Sequence, residues 1–185
     1  GTTTIINHHV KHTLPLLMNC GARLPEQYEW LREAVAKYIE EETGHQEWIL
    51  NDIKACGADS EAVRVGEPFL PAELMVAYAY DVINRINPIG FFGMVLVLEG
   101  TSAKIASAAA QAIKTSLGLK SNALTYLSSH GALDTGHTAF YASLMNRLDE
   151  KKDQAIVIHC AKVFYRLYGD IFQDLSQRFY PGRQA

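Results

Sequence analysis

Residues 130–137 read HGALDTGH and combine two histidines with an aspartate at helical spacing. Positions i, i+4 and i+7 of an α-helix lie on one stripe, so His130, Asp134 and His137 are expected to project together. Two imidazoles and a carboxylate are typical of half a site for iron, manganese or zinc, and non-haem Fe(II) that reacts with oxygen prefers this set. A polar helix face that carries two histidines by chance is the other interpretation.

Two further places in the chain offer similar ligands. Glu42 and His45 stand at i and i+3 in the run EETGH, and helical bundles present a carboxylate and an imidazole to a metal pair at this spacing. Trp48 and Ile49 lie one turn beyond His45, so this pair is expected to face the core. Glu99 ends the apolar run FFGMVLVL, and such a carboxylate is either exposed or buried with a strong partner.

The composition is typical of an ordinary globular chain and points to a small partner. At 185 residues the chain has the size of one domain, residues 1–185, with enough material for a sizeable core. The net charge is only -3, which gives no electrostatic reason to expect nucleic acid or an anionic membrane as a partner. A homodimer is the default expectation for the oligomeric state.

The cysteines and the hydropathy pattern favour the cytoplasm. Cys20, Cys56 and Cys160 are an odd number without metal-type pairing, and each is expected to be a small core residue in a reducing compartment. No run of apolar residues is long enough to span a membrane, and the first residues do not resemble a signal peptide.

The spacing of apolar residues predicts helices throughout, with glycine and proline at their ends. Residues 57–70 are predicted to be a loop, and no stretch shows the alternation of a β-strand. The fold class is therefore all-α, with about six to seven helices. The predicted helices cover residues 2–19 with a kink or an end near Pro15, 25–56, 71–87, 91–117, 121–148 and about 153–180.

Three histidines near the start of the chain, His8, His9 and His12, form a separate cluster. Nothing acidic or apolar brackets them in the way that surrounds a metal or haem ligand. We therefore expect them to be solvated.

The order of these motifs resembles a known family. The run EETGH, then a helix that carries Leu-Glu-Gly at residues 98–100, then His-x-x-x-Asp-x-x-His, is similar to the haem-oxygenase-like di-iron oxidases and oxygenases, often called iron-containing redox enzymes. Their helical fold is shared with the TenA proteins and the oxidase of PQQ synthesis. The resemblance implies a haem-oxygenase-like helical bundle over nearly the whole chain.

The resemblance also implies a set of metal ligands. Some relatives place their first carboxylate where this chain has Tyr38, which leaves Glu42 as the expected first ligand and Glu41 as the fallback. Glu99 and Asp134 are expected to be the catalytic carboxylates. The ligand set that the resemblance implies is Glu42, His45, Glu99, His130, Asp134 and His137.

The function implied by this resemblance is a non-haem di-iron oxidase or oxygenase that uses O2. The cofactor would be two Fe(II) per chain, with manganese as the other metal that such a site accepts. Aromatic residues suggest a small organic substrate with an apolar portion, although core packing would explain the same residues. The residues expected at the substrate pocket are Tyr38, Tyr78, Phe92 and Tyr141.

Two alternatives follow from the same residues. The chain is a metal-free ligand-binding or cofactorless member of this fold, or it is a structural bundle whose polar residues form a satisfied core network. Burial of six ionisable groups without a cation would be costly in either case, which favours the metal site.

Overall fold

The structure, a computed structural model, describes the backbone of residues 2–179 and the side chains in that range except at 2–6, 102–103, 130–135 and 179. Helices make up most of the described range, and no strand occurs in it. The predicted all-α class is therefore confirmed. The α-helices are α1 (Thr2–Arg23), α2 (Glu29–Glu42), α3 (His45–Ala55), α4 (Ser60–Val65), α5 (Leu70–Asp81), α6 (Phe92–Leu117), α7 (Thr125–Met145) and α8 (Lys151–Phe179).

The predicted helix over 25–56 is divided in two by Thr43 and Gly44. Thr43 has an extended backbone and Gly44 has a φ of 95°, in the left-handed region that favours glycine. The prediction of one continuous helix was wrong. The helical spacing of apolar residues continues on both sides of Thr43 and Gly44, so it does not reveal a break that is only two residues long. Glu42 is consequently the last residue of α2, and His45 is the first residue of α3.

The predicted loop over 57–70 contains the short helix α4, so this prediction was also wrong. The Asp59 side chain caps the helix by accepting hydrogen bonds from the backbone N–H groups of Glu61 and Ala62, each at 3.0 Å. With the division at Gly44, this helix brings the described range to eight α-helices instead of six or seven.

Helix α1 does not end at Pro15 and continues to Arg23. Proline removes one backbone hydrogen bond from a helix interior. Here its ring is exposed, while Leu16, Leu17 and Cys20 on the following turn are fully buried. Burial of this apolar face stabilises the helix beyond the proline.

Helices α6 and α8 pack with their backbones in close approach. Gly93 allows this approach because a Cβ at that position would lie 2.5 Å from the backbone N of Ala161 and 2.9 Å from the carbonyl O of Val157. By contrast, a Cβ at Gly100, the residue after Glu99, would have no neighbour within 4 Å. The close contact is thus at the start of α6 and not beside Glu99.

A buried carboxylate joins three segments at one end of the bundle. Asp153 of α8 accepts a hydrogen bond from the Tyr28 hydroxyl and another, at 2.9 Å, from the Asn87 side-chain amide. Tyr28 precedes α2 and Asn87 precedes α6. Asp153 therefore fixes the starts of three helices relative to one another.

Two of the three cysteines lie in the core, as expected, and one does not. Cys20 and Cys160 are buried, whereas Cys56 is exposed just after α3. No single helix in the described range is long and apolar enough to cross a membrane. One bent pair, Pro88–Thr101 with Lys104–Leu117, passes that test by length and composition alone.

The contact at Gly93 leads to a stability prediction. We expect Gly93→Ala to lower the free energy of unfolding by at least about 1 kcal/mol, because the new methyl group overlaps backbone atoms of α8 that cannot rotate away. Chemical denaturation measures the change. The matched control is Gly169→Ala in α8, where a Cβ meets nothing within 4 Å and alanine should stabilise the helix by up to about 1 kcal/mol. Equal stability of the two variants would contradict the described packing.

Candidate metal centre

A cavity of about 130 Å³ lies inside the bundle. Its wall comes from α1, α2, α6, α7 and α8 and from Phe91 just before α6. In this measure one water needs about 10–15 Å³, so the cavity has room for a small organic molecule. The polar residues on its wall are His9, Thr13, Tyr38, Glu42, Glu99, Tyr126, His137 and Tyr168.

Glu42 and His45 meet across the break between α2 and α3. The Nδ1 atom of His45 lies 2.8 Å from Oε2 of Glu42, and their side chains are only 13% and 19% exposed. The turn at Gly44, and not the pitch of a single helix, sets this geometry. Glu42 lines the cavity, and His45 stands directly beside it.

Glu99 reaches the cavity from α6. It is half-buried among Met94, Val95 and Leu98, which line the cavity with it. Its carboxylate acts on neighbouring phenols: burial raises the pKa of Tyr141, and the charge of Glu99 raises it further. Glu99 is thus one of the carboxylates on a largely apolar wall.

His137 lines the cavity from α7, and its Nε2 atom lies 3.7 Å from Oε2 of Glu41. His130 and Asp134 belong to the same helix, but their side chains lie outside the described residues. Among the side chains that are described, no three from histidine, cysteine, aspartate and glutamate converge as a metal site. The described ligands approach in pairs, Glu42 with His45 and Glu41 with His137.

Glu41 and Glu42 both point towards the centre of the bundle, with different contacts. Glu42 is on the cavity wall, whereas Glu41 lies near His137 and, with its other oxygen, 3.8 Å from the Lys37 ammonium. The Oε2 atom of Glu41 is buried and accepts no hydrogen bond from the described residues. Burial of a carboxylate oxygen in this way is costly unless a cation is nearby.

Tyr38 lies among these carboxylates. Burial raises the pKa of its hydroxyl strongly, and the charges of Glu99, Glu41 and Glu42 raise it further. The hydroxyl oxygen is buried and has no hydrogen-bond partner in the described part of the chain. A phenol that stays protonated beside several carboxylates can donate a hydrogen bond to one of them or to a bound molecule.

The donor set fits iron in kind. Carboxylates and an imidazole from α2, α6 and α7 line one cavity, and the imidazole of His45 from α3 lies beside Glu42. Non-haem iron and manganese prefer these donor types. The buried oxygen of Glu41 and the hydroxyl of Tyr38 are polar atoms that a bound group would satisfy. The donor types are therefore those of an iron site, although no three of the described donors converge.

Of the four residues expected at the substrate pocket, Tyr38 lines the cavity. Phe92 is fully buried, and its place on the wall is taken by Phe91. Tyr141 donates its hydroxyl hydrogen bond to the Phe92 carbonyl at 3.0 Å, and the Tyr78 hydroxyl lies 3.6 Å from the Cys160 sulfur. The other three residues belong to the hydrophobic core and do not line the cavity: Tyr78, Phe92 and Tyr141. Core packing was the alternative explanation for the aromatic residues in the sequence analysis.

Two of the three histidines of α1 are buried and the third is half-buried, so the expectation that they are solvated was wrong. His8 and His9 are 9% and 6% exposed, and the His12 ring forms a hydrogen bond of 3.2 Å with the Tyr80 hydroxyl. The ring of Tyr168 from α8 packs against His9, and that of Tyr80 from α5 packs against His12. His9 lines the cavity and becomes a candidate functional residue, although from the sequence it was expected to be solvated.

Asp52 is a second residue that the sequence did not single out. It is 5% exposed in α3 and accepts hydrogen bonds from the Thr125 hydroxyl at 2.7 Å and from the backbone N–H of Tyr126 at 2.8 Å. The Trp48 indole donates to the same Thr125 hydroxyl at 2.5 Å. Asp52 therefore caps the start of α7, the helix that carries His137.

Comparisons with known proteins show the family and the fold of this chain. A protein-family model described as "iron-containing redox enzyme" matches residues 6–169, and a search of curated proteins finds no match. Among solved structures, the chain is similar to a domain of unknown function with a haem oxygenase-like fold from Shewanella denitrificans, at 22% identity and a TM-score of 0.81. The similarity covers 100% of this chain and 82% of that chain. The bundle has the haem-oxygenase-like fold that the sequence predicted.

The role of Asp52 can be tested through stability. We expect Asp52→Ala to lower the free energy of unfolding by about 2 kcal/mol or more, because two buried donors of α7 lose a charged acceptor. Hydrogen exchange at the Tyr126 amide should become faster in the same variant. Asn51→Ala, at an exposed neighbouring position of α3, serves as the control. Equal stability of the two variants would show that Asp52 does not hold the start of α7.

The buried histidines predict a loss of stability in mild acid. Burial, followed by the charges of His12 and Lys11, lowers the pKa of His8 from 6.5 to about 4. The unfolded chain therefore binds more protons between these two values, and the free energy of unfolding should fall as the pH decreases from 6.5 to about 4. Denaturation at several pH values measures this slope. His8→Gln should flatten it, whereas the same substitution at exposed His159 should leave it unchanged; an unaltered slope in His8→Gln would refute the assignment.

Proposed function

Because the chain belongs to the family of iron-containing redox enzymes, we propose that it is a non-haem di-iron oxidase or oxygenase. Its substrates would be O2 and a small organic molecule with an apolar portion. The observation that carries this proposal is the presence of Glu42, Glu99 and His137, from three different helices, on the wall of one cavity. His45 stands beside Glu42 and completes the described part of the ligand set.

The proposed ligands come from four helices. Glu42 and His45 contribute from the α2–α3 break, Glu99 from α6, and three ligands from α7. Three carboxylates would offset most of the charge of two ferrous ions, so that the loaded centre is close to neutral and can be buried. The α7 ligands in this proposal are His130, Asp134 and His137.

Bound ferrous iron would supply the electrons that make O2 reactive towards an organic substrate. The chain itself supplies the surroundings. The apolar wall of Val10, Leu17, Phe91, Met94 and Leu98 excludes water and surrounds an apolar part of the substrate.

Tyr38 and the two proposed catalytic carboxylates, Glu99 and Asp134, would handle protons at this centre. The Tyr38 hydroxyl keeps its proton because burial and the nearby carboxylates raise its pKa. It is placed to donate a hydrogen bond to the charged form of a carboxylate or to a bound group. Glu99 is the only one of the proposed ligands that comes from α6.

The metal-free alternatives are less well supported. A ligand-binding bundle without a cation would have to keep Glu42 and Glu99 on the wall of one largely apolar cavity, where each partly buried carboxylate needs a partner. The buried Oε2 of Glu41 does not find the hydrogen bond within the described residues that a satisfied polar network would require. We propose O2 and a small molecule as partners, not nucleic acid or a membrane.

Metal analysis tests the proposal. After anaerobic incubation with Fe(II) and removal of free metal, we expect about two irons per chain for the unaltered protein. Glu42→Ala should lose most of this iron, because the variant removes a proposed ligand on the cavity wall.

The matched control for that experiment is Glu40→Ala. Glu40 belongs to the same helical turn as Glu42, but it is exposed, so its variant should retain the iron of the unaltered protein. Addition of O2 to the loaded protein should produce a transient change in visible absorption. No iron above background in the unaltered protein would contradict the proposal.

A further inference from the structure

We propose that His9 and Tyr168 bind an uncharged hydrogen-bonding group, such as a hydroxyl or a carbonyl, on the substrate and thereby select it. The inference rests on the proposed function only in assuming that the cavity is the substrate site. Neither residue belongs to the proposed metal ligands. His9 comes from α1 and Tyr168 from α8, which contribute no ligand.

The two side chains form one unit on the cavity wall. Both line the cavity, and their rings meet edge to face with centroids 6.2 Å apart. The ring of Phe172 also contacts Tyr168 edge to face, with the two centroids 5.0 Å apart. Thr13 lies one turn beyond His9 on the same wall and adds a hydroxyl to this polar patch.

The cavity is elongated along α1. His9, Val10, Thr13 and Leu17 all line it, and the rise from the first to the last of these residues is about 12 Å. Polar and apolar side chains therefore share the wall. A substrate with a polar group at one point and an apolar body elsewhere matches this lining.

The chemistry of the patch favours a neutral group. An imidazole and a phenol each donate and accept hydrogen bonds, as a hydroxyl does, and a phenol can also donate to a carbonyl. Burial raises the pKa of Tyr168, so its hydroxyl remains protonated and able to donate. The described residues on the wall include no lysine or arginine, so an anionic group there would be buried without a cationic side chain.

A pair of probes of the same shape tests the assignment. Benzyl alcohol and ethylbenzene differ in a hydroxyl that replaces a methyl group, and their binding to the full chain can be measured by calorimetry. We expect His9→Leu to weaken benzyl alcohol binding about threefold to tenfold, the usual range for one hydrogen bond. Ethylbenzene binding should be unchanged or slightly tighter in the same variant.

Two further variants keep the test decisive. Tyr168→Phe removes only a hydroxyl and should weaken benzyl alcohol binding in the same selective way. This variant carries the test if His9→Leu does not fold. His159→Leu, which removes an exposed histidine of α8, should bind both probes as the unaltered protein does. Undetectable binding of benzyl alcohol to the unaltered protein, or equal weakening of both probes in the cavity variants, would overturn the inference.

The measurements are made once with a chelator and once with Fe(II) under anaerobic conditions. If the chain binds no iron but His9→Leu still weakens the binding of benzyl alcohol and not that of ethylbenzene, this inference is supported and the proposed metal centre is contradicted. Iron binding without that discrimination would support the metal centre and overturn this inference. The two proposals can therefore fail separately.

Discussion

The burial of several carboxylates in an apolar bundle is the constraint on which the rest of this structure depends. Glu41, Glu42 and Glu99 all lie close enough to Tyr38 to raise its pKa, although the surrounding core is built from aliphatic and aromatic side chains. Each carboxylate taken from water needs a partner, and the described partners are His45 for Glu42 and both His137 and Lys37 for Glu41. In the proposed function, a divalent cation is a further partner for Glu42 and Glu99.

Helix α3 connects the two sides of the proposed centre. Its first residue, His45, contacts Glu42 at the end of α2, and Asp52 two turns later holds the start of α7. Gly44 allows His45 to lie beside Glu42 because its left-handed backbone changes the direction of the chain between α2 and α3. Helix α3 therefore links α2 to α7, in addition to the packing of α7 against α6.

The sequence predicted the long helices well and the junctions poorly. Helices α6 and α8 follow from apolar spacing bounded by glycine and proline, because these signals are local. The break at Thr43 and Gly44 lies inside a continuous apolar pattern, and the period of that pattern does not reveal an interruption of the helix by only two residues. Aspartate is a common helix-capping residue, so Asp59 is compatible with a helix start. A helix of six residues is nevertheless too short for the spacing of its apolar residues to predict it.

The candidate site divides in the same way. Residue types and their order along the chain suggested four ligands whose side chains the structure describes: Glu42, His45, Glu99 and His137. Three of them line one cavity, and His45 lies directly beside Glu42. The burial of His9 depends on Tyr168, which is more than 150 positions away, and no local pattern indicates such a contact. Adjacent aromatic residues such as Phe91 and Phe92 could not be divided between cavity wall and core, because a shift of one position changes the face of the helix.

Anomalous X-ray diffraction at the iron edge, from crystals grown anaerobically with Fe(II), tests the central claim most directly. The account predicts a pair of iron peaks inside the cavity, within bonding distance of the carboxylates of Glu42 and Glu99 and the imidazole of His137. It also predicts that the side chains of His130 and Asp134 contact the same ions. An empty cavity, or iron bound only at surface histidines such as His159, would contradict the account.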